Sequence, residues 1–513
     1  MEWQKKLDEL AKLQQTLHAY EHALGSIYLD SATVAPRGAT LARSQTMGIL
    51  TEKHYELLTG EETGALLAEL ETGNAGGAGD QAPESGNTSC GTLDEVRARQ
   101  VGLLKEERDK LTRIPVEEFV EYSQLTNEAE SVWYEAKGNN DYETFRPYLT
   151  KIIAFNRRFA GYKDASKPAY DVLLDEFEKG ADQTMLDGFF ASLREQVVPL
   201  LMRVKDRPIA DGFLRGHFPE AKQRELSDEL MRIMGLDREH FAIHTTEHPF
   251  TIGFNKYDVR ITTHYHEDSL VSSLYSVLHE GGHGLYDHGV ADEYQYTFLA
   301  DGASMGMHES QSRFYENIIG RSEGFINFLW PALKRLFPGE LNVSQRDFFR
   351  AVNRAQPSLI RIEADELTYS LHIMVRYELE KQLIAGTLST HDLPDAWNRL
   401  YKEYLGVDVP SHSQGVLQDT HWSGGSFGYF PSYALGSAYG AQFAHFMGKD
   451  LNLEALAGEG NLEPITAWLR EKIHRHGAMY TPKDLMMRVC GEAFDPKYYV
   501  AYLEKKMKDV YGV

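Results

Sequence analysis

Cysteine is nearly absent from this chain, which has only Cys90 and Cys490 among its 513 residues. Two cysteines cannot form the disulfide framework that stabilises many small secreted domains. Residues 1–10 are charged and amphipathic, without the apolar segment of a secretory signal. We therefore expect a protein of the reducing cytoplasm, with Cys90 as an exposed, incidental thiol.

Long apolar runs and an excess of positive charge are also missing. No run of about 18 apolar residues occurs, so the sequence predicts no transmembrane helix. The formal net charge is −23, which disfavours nucleic acid and anionic membrane as partners. Hydrophobic residues make up 42% of the chain, as in a soluble globular protein with a large core.

Helical periodicity covers most of the sequence. Apolar residues recur every three or four positions, which is typical of amphipathic helices. Helices are predicted over 1–70 with a break at 32–38, 93–234, 301–316, 344–386, 435–447 and 465–513. The fold class is therefore mainly α, and no internal repeat interrupts it.

Two segments depart from this pattern. Residues 72–92 are dominated by Gly, Ser and Asn, which predicts a flexible Gly-rich surface loop inserted between helices. Residues 258–266 alternate with period two and are rich in β-branched side chains, which predicts a short strand of one small sheet.

The segment His279-Glu280-Gly281-Gly282-His283 has the pattern H-E-x-x-H. Residues four apart share one face of a helix, so His279 and His283 can present two imidazoles to one metal ion. Glu280 beside them is placed to act as general base for a water molecule, as in zinc peptidases. The two glycines weaken a helix, which favours close approach of a substrate or a neighbouring backbone here.

A third metal ligand is needed to complete such a site. The metzincin pattern is excluded, because Tyr286 and Gly289 occupy the positions of its Gly and third His. The remaining common solution is a Glu from a following helix. Glu309, on a helix that Ser304 is expected to cap, is the leading candidate. The rivals on spacing alone are Asp287, Glu293, Glu316 and Glu323.

Five motifs in the same order give the chain a resemblance to the carboxypeptidase Taq family of metallocarboxypeptidases. The resemblance covers almost the whole chain, and the sequence departs from the family's pattern only at the Gly-rich stretch 72–92. The motifs are His308-Glu-Ser-Gln-Ser312, Asp258-Val-Arg-Ile-Thr262, Ile360-Arg-Ile-Glu-Ala-Asp365, Gly415-Val-Leu-Gln-Asp-Thr-His-Trp422 and Phe427-Gly-Tyr-Phe-Pro-Ser-Tyr-Ala-Leu-Gly436.

The resemblance implies a fold and an activity. The fold is a long-cleft helical metallopeptidase fold similar to neurolysin and angiotensin-converting enzyme, with one small β-sheet beside the active site. One peptidase domain, 1–513, would have two helical lobes flanking the cleft. The activity is release of single C-terminal residues from peptides, with broad specificity and poor action at proline, by a cytoplasmic homodimer.

The resemblance also implies site residues. His279, His283 and Glu309 would hold one divalent metal ion, zinc first, with cobalt and manganese as alternatives. Glu280 would be the base, and His421, Tyr429 and Tyr433 the donors to the oxyanion, with packed aromatic rings as the alternative for each Tyr. The candidate substrate-binding residues are Arg361, Arg260, His264 and Gln418.

Several of these residues have other interpretations. The family has Arg or Ala at the position of Arg361, so this residue either binds the terminal carboxylate, limits substrate length, or pairs with Glu363 or Asp365. Asp258 and Arg260 also fit a charge pair behind the strand. Gln418 and Asp419 are candidates for orienting a ligand histidine.

The strand at 258–266 has two interpretations. In a peptidase it can pair its backbone with an extended substrate, or it belongs to a small structural hairpin. Two alternative functions also remain: an endo-acting oligopeptidase of the neurolysin type, and a metal-stabilised scaffold without catalysis. The second requires a damaged site, whereas Glu280 is intact.

Overall fold

The computed structural model describes residues 2–75 and 93–513. Residues 72–75 complete a helix, so the predicted loop starts later than the expected residue 72. The rest of the Gly-rich stretch, with Cys90, lies outside the described residues. Within the described ranges, no helix is both long and apolar enough to cross a membrane.

The first nine helices confirm the helical prediction for the N-terminal half. The expected break after residue 32 separates the first two, since Pro36 cannot continue a helix with a normal hydrogen-bond pattern. The helices are α1 (Glu2–Thr33), α2 (Thr40–Thr59), α3 (Glu61–Ala75), α4 (Leu93–Thr112), α5 (Val116–Asn139), α6 (Tyr142–Lys163), α7 (Ala169–Phe177), α8 (Gln183–Val204) and α9 (Glu220–Met234).

A three-stranded sheet follows α9. Its strands are β1 (Phe241–Thr245), β2 (Thr251–Asn255) and β3 (Asp258–Thr263). The order is β1-β3-β2, with β3 parallel to β1 and antiparallel to β2. Both backbone edges of β3 are therefore occupied, so the expectation that this strand pairs with substrate is wrong. The hairpin interpretation is the correct one, with β1 added on the far side.

Eleven further helices complete the described fold. They are α10 (Leu270–Gly289), α11 (Met305–Arg313), α12 (Glu323–Leu336), α13 (Gln345–Val352), α14 (Glu366–Ala385), α15 (Leu393–Tyr404), α16 (Pro431–Met447), α17 (Leu453–Glu459), α18 (Glu463–Lys472), α19 (Pro482–Cys490) and α20 (Lys497–Tyr511). A π-helical segment, Phe314–Ile319, continues α11.

The predicted helix over 344–386 is two helices with an irregular connection between them. Pro357 lies in the connection, and Asp365 caps α14 by accepting hydrogen bonds from the backbone N–H groups of Leu367 and Thr368. Asp365 is therefore an N-cap rather than the partner of a nearby arginine. The predicted helix over 465–513 is likewise interrupted, where Gly477 and Gly491 adopt positive φ.

Of three separate hydrophobic cores among the described residues, the two larger ones hold most of the helices together. The large core runs from α5 to α20 and includes the sheet and α10. The small core joins α1 to α4, and its buried residues are Leu10, Leu17, Leu58, Leu66, Leu67, Leu70, Val101 and Leu104. Side chains from both groups of helices line the same cavity.

Candidate active site

Helix α10 carries the H-E-x-x-H segment on a buried scaffold. The predicted apolar stripe is confirmed, since Leu270, Leu274, Leu278 and Leu285 are each at most 4% exposed. The stripe packs into the core and leaves the opposite side of the helix to the cavity. The imidazole rings of His279 and His283 lie on that side, with their centroids 5.1 Å apart.

Helix α11 brings the third candidate ligand beside α10. Ser304 caps it as predicted, by accepting a hydrogen bond from the backbone N–H of Met307. A Cβ on Gly282 would lie 2.5 Å from the carbonyl oxygen of Gln311, so the glycine allows α11 to pack directly on α10. The close approach expected from the glycines is thus made by a neighbouring backbone.

The three candidate ligands converge. Oε2 of Glu309 lies 3.6 Å from Nε2 of His279 and 3.4 Å from Nε2 of His283. Among the described residues, this is the cluster of His, Cys, Asp and Glu whose ligand atoms can share one ion. Two imidazole nitrogens and a carboxylate oxygen form a donor set that suits zinc, with room for a further ligand. The residues therefore fit a divalent metal ion.

The rivals for the third ligand position lie elsewhere. The carboxylate of Glu316 contacts Nδ1 of His279, and that of Asp287 contacts Nε2 of His308. Glu323 begins α12 and pairs with Arg346, and Glu293 is exposed. None of the four joins the converging group.

Each candidate ligand histidine is contacted on the side away from Glu309. Nδ1 of His279 lies 2.9 Å from Oε2 of Glu316. Nδ1 of His283 lies 2.6 Å from Nδ1 of His308, whose Nε2 lies 2.9 Å from Oδ1 of Asp287. These contacts leave both Nε2 atoms free to act as ligands. The expectation that Gln418 and Asp419 orient a ligand histidine is therefore wrong.

Arg313 forms ion pairs with both Glu309 and Glu316. Its guanidinium donates to Oε1 of Glu309 at 2.7 Å and to Oε2 of Glu316 at 3.2 Å. Burial opposes ionisation of Glu309, but the charges of Arg313 and His279 outweigh it and hold the pKa of Glu309 well below its usual range. Glu309 is therefore anionic, as a carboxylate that binds a metal ion must be.

Thr251 contacts the candidate base, and sequence reasoning missed it. Its hydroxyl lies 2.7 Å from Oε2 of Glu280 and 2.9 Å from the backbone carbonyl oxygen of Glu280. Thr251 belongs to β2, an edge strand that lines the cavity. No motif marked this residue, because the contact depends on the packing of the sheet against α10.

Two of the three candidate oxyanion donors line the same cavity. Tyr429 and Tyr433 line a part of it that we call the opposite wall, whereas α10 contributes His279, Glu280 and His283. Oη of Tyr433 lies 3.3 Å from Nε2 of His421, which sits behind it. Burial, with Arg361 and Arg376 nearby, lowers the pKa of His421 to about 4 despite the charge of Asp419, so the imidazole is neutral near pH 7.

Arg361 is buried beneath Tyr433. Its Nε and Nη2 donate to Oδ1 of Asp419 at 3.0 and 2.9 Å, and its Nη1 donates to Oη of Tyr369 at 3.0 Å. Its side chain is 6% exposed, and its carboxylate partner is Asp419 rather than the expected Glu363 or Asp365. The structure does not place Arg361 among the lining residues.

The other candidate substrate-binding residues also lie off the cavity lining. Arg260 donates to Asp258 at 2.7 and 2.8 Å, as the charge-pair interpretation expected. Nδ1 of His264 lies 2.9 Å from the backbone oxygen of Thr246. Gln418 uses both ends of its amide inside the protein, with its oxygen accepting from Arg361 and its nitrogen donating to the oxygen of Leu359.

Sequence reasoning also missed the N-terminal side of the cavity. Helices α1 and α4 and strand β2 contribute residues to its lining, beside those of α10. The helical lining residues are His18, Glu21, His22, Arg99, Leu103, Glu106, Glu107 and Lys110. Their sequence signal is only that of a solvated helix face, so no local pattern separates them from ordinary surface.

Comparison with known proteins agrees with this geometry. Residues 9–507 match the family model of the carboxypeptidase Taq (M32) metallopeptidases. The chain is 38% identical to carboxypeptidase 1 of Bacillus subtilis, over 98% of this chain and 98% of that protein. It is also 38% identical to thermostable carboxypeptidase 1 of Thermus thermophilus, over 96% of this chain and 97% of that protein.

A solved structure extends the likeness to three dimensions. The M32 carboxypeptidase of Deinococcus radiodurans R1 superposes with a TM-score of 0.93 at 34% identity, covering 99% of this chain and 100% of that one. Fold, order of elements and sequence therefore agree over nearly the full length. The chain belongs to the carboxypeptidase Taq (M32) metallopeptidase family.

Proposed function

We propose that this metallocarboxypeptidase releases single residues from the C-termini of peptides with broad preference, using one divalent ion held by His279, His283 and Glu309. The observation that carries the proposal is the convergence of these ligand atoms beside Glu280 at the wall of the cavity. When bound, the ion would supply a Lewis acid that acidifies a water molecule and polarises the scissile carbonyl.

Glu280 is the general base in this proposal. It is 7% exposed and lines the cavity, and its Oε2 accepts a hydrogen bond from Thr251. A carboxylate so placed takes the proton of the attacking water and transfers it to the leaving amine. Thr251 fixes the rotamer of Glu280 and leaves the other carboxylate oxygen for the proton.

The opposite wall stabilises the oxyanion. Tyr433 lines the cavity and donates its hydroxyl proton towards the developing negative charge, with neutral His421 behind it as a hydrogen-bond partner. Tyr429 lies beside Tyr433, with ring centroids 5.2 Å apart. Preorganised donors of this kind act more strongly in a water-poor cleft than in bulk solvent.

Recognition of a chain end requires a partner for its carboxylate. Among the described residues, every Lys and Arg that lines the cavity is within ion-pair distance of a carboxylate. These pairs are Arg99–Glu106, Lys110–Glu107, Lys179–Asp175 and Lys256–Asp292. We infer that Arg361, under the ring of Tyr433, either reaches the terminal carboxylate after leaving Asp419 or limits substrate length from below.

The remaining expectations of the resemblance are proposals as well. Zinc is the proposed metal, because the donor set contains two imidazoles and one carboxylate. We also propose a cytoplasmic homodimer, and a long cleft between two helical lobes similar to those of neurolysin and angiotensin-converting enzyme. Sedimentation equilibrium and metal analysis of the purified protein test the assembly and the ion.

Digestion of matched peptides tests the activity. A peptide with a free C-terminus and the same peptide with a C-terminal amide are incubated with the metal-loaded enzyme, and the products are followed by mass spectrometry. We expect a ladder of single-residue losses from the free peptide and almost none from the amide. Internal cleavage of both peptides would instead favour the endo-acting oligopeptidase.

A further inference from the structure

Glu380 is a buried carboxyl group behind the wall that carries His421 and Tyr429. It lies on α14 with no measurable exposure. Among the described residues, no Lys, Arg or His lies within ion-pair distance of it. Burial of a carboxyl group without a cationic partner is unfavourable, because the group loses its hydration. Such a group requires a reason beyond packing, since a leucine would fill the space.

The partners of Glu380 are all hydrogen-bond donors. Its Oε1 accepts from Nε1 of Trp422 at 2.7 Å. Its Oε2 accepts from the backbone N–H of Gly428 at 2.8 Å and from the hydroxyl of Tyr170 at 2.9 Å. A carboxylate satisfies three donors, whereas an amide would turn its own N–H groups towards one or more of them.

Two of these donors flank the candidate catalytic side chains. Trp422 directly follows His421, and Gly428 directly precedes Tyr429. Glu380 therefore ties together the two ends of the segment 422–428, which has no regular secondary structure of its own. An irregular segment needs such contacts to hold a fixed position.

The same segment is seated against α7. Gly428 has φ +90°, and a Cβ there would lie 2.7 Å from the backbone carbon of Leu173. The backbone of Gly428 thus lies between α7 and α14, with the carboxyl group of Glu380 on one side. Loss of the hydrogen bond from Gly428 would release the segment from α14 and leave it only the contact with α7.

We propose that Glu380 is a positioning residue that holds His421 and Tyr429 in place for oxyanion stabilisation. The inference rests on the role proposed above for these two side chains. Glu380 touches neither the cavity nor the metal ligands. Its loss is therefore expected to act on turnover and to leave metal binding and substrate binding nearly unchanged.

A double-mutant cycle tests the inference. Glu380→Gln, His421→Ala and the double variant are compared as full-length, metal-loaded enzymes, with kcat and KM measured on a free-acid peptide. We expect Glu380→Gln to lower kcat at least about tenfold with KM within about threefold, since small displacements of catalytic groups cost up to about a hundredfold. In the His421→Ala background, Glu380→Gln should cause a clearly smaller fold-loss of kcat, since only its effect through Tyr429 remains.

Two outcomes would overturn the inference: an unchanged kcat in Glu380→Gln, or the same fold-loss in both backgrounds. If His421→Ala itself turns over like the wild type, the proposed role of His421 fails instead. The cycle is then run with Tyr429→Phe, and the same criteria decide on Glu380.

Variants of the donors keep the test decisive if Glu380→Gln does not fold. Trp422→Phe removes the donor beside His421, and Tyr170→Phe removes a donor to the same carboxylate from α7, outside the segment. We expect a lower kcat in Trp422→Phe and a wild-type kcat in Tyr170→Phe at similar losses of Tm. Equal effects of both on kcat, or no effect of either, would show that Glu380 serves stability alone.

Discussion

The two walls of the cavity are built in different ways. The metal wall consists of regular helices, in which α10 supplies His279 and His283 one turn apart and α11 supplies Glu309. The opposite wall presents Tyr429, at the end of the irregular segment 415–430, and Tyr433, at the start of α16. Helical spacing places the first set of side chains, whereas distant anchors place the second set.

The anchors differ in their electrostatics too. On the metal wall, Glu309 and Glu316 are carboxylates held by Arg313. On the opposite wall, Asp419 is held by Arg361 and Arg376, while Glu380 is held by neutral donors alone. A carboxylate has to be ionised to bind a cation, whereas positioning of neutral donors needs only a rigid frame. The predictions below separate these two requirements.

The largest expected effect is that of replacing Glu280, the proposed general base. Glu280→Gln should lower kcat by about a hundred- to ten-thousandfold, because an amide cannot accept the proton of water. Metal content should stay at the wild-type level, since the ligands are untouched. Both are measured on the same preparation, with the exposed Glu293→Gln as control. Near-normal turnover at full metal occupancy would remove Glu280 from the mechanism.

The next effect is on the stability of the opposite wall. Asp419→Asn leaves Arg361 and Arg376, which are 5% and 0% exposed, without their carboxylate. Removing one partner of a buried ion pair costs about 3–5 kcal/mol of unfolding free energy. Chemical denaturation near pH 6 measures this loss. The control is Asp408→Asn, which removes the carboxylate of an exposed ion pair with Lys402.

The pH dependence of that loss has a definite sign. Burial opposes ionisation of Asp419, but Arg376 and Arg361 outweigh it and hold its pKa well below the usual range. The stabilisation is thus complete above the unfolded pKa of about 4 and disappears as pH falls through the lower folded pKa. A difference between wild type and Asp419→Asn that grows on acidification would contradict the ion pair.

A smaller effect is expected from single donors of the opposite wall. Tyr433→Phe should lower kcat by about a hundred- to a thousandfold, as for loss of one oxyanion donor. Tyr429→Phe is the matched variant and should lower kcat less, because His421 is hydrogen-bonded to Tyr433 and not to Tyr429. A larger loss in Tyr429→Phe would reverse the assignment between the two tyrosines.

The smallest effect is expected at Glu316, whose carboxylate contacts Nδ1 of His279. Glu316→Gln should weaken metal binding by about ten- to a hundredfold, because a neutral amide orients and polarises His279 less well. Competition with a chelator measures the affinity, and Glu323→Gln, a carboxylate on the neighbouring helix α12, is the control. Equal affinities in both variants would show that Glu316 does not support the site.

The different construction of the two walls also explains which of their features could be predicted from the sequence. The stripe of α10 and the Ser304 cap of α11 depend on residues a few positions apart, so local spacing was sufficient. The predicted helix over 344–386 was wrong around Pro357, where Asp365 caps a new helix. Strand β3 was found, but its central place in the sheet depends on β1, whose Phe241 pairs with Val259, 18 positions later in the chain.

Contacts between distant segments were beyond local patterns. Thr251 reaches Glu280 across 29 positions, and Glu380 reaches Trp422 and Gly428 across 42 and 48. Such pairs leave no periodic signal, because each residue alone resembles an ordinary strand or helix residue. The motif order identified the family, while the supporting contacts required the three-dimensional arrangement.

The most direct test of the two-wall account is the metal content of Glu309→Ala beside that of His421→Ala. Both proteins are dialysed against the same limiting zinc buffer and analysed by mass spectrometry for metal and for peptide products. We predict that Glu309→Ala loses most of its zinc and its activity, whereas His421→Ala keeps about one ion per chain and loses only activity. Full zinc in Glu309→Ala, or loss of zinc in His421→Ala, would contradict the division of roles.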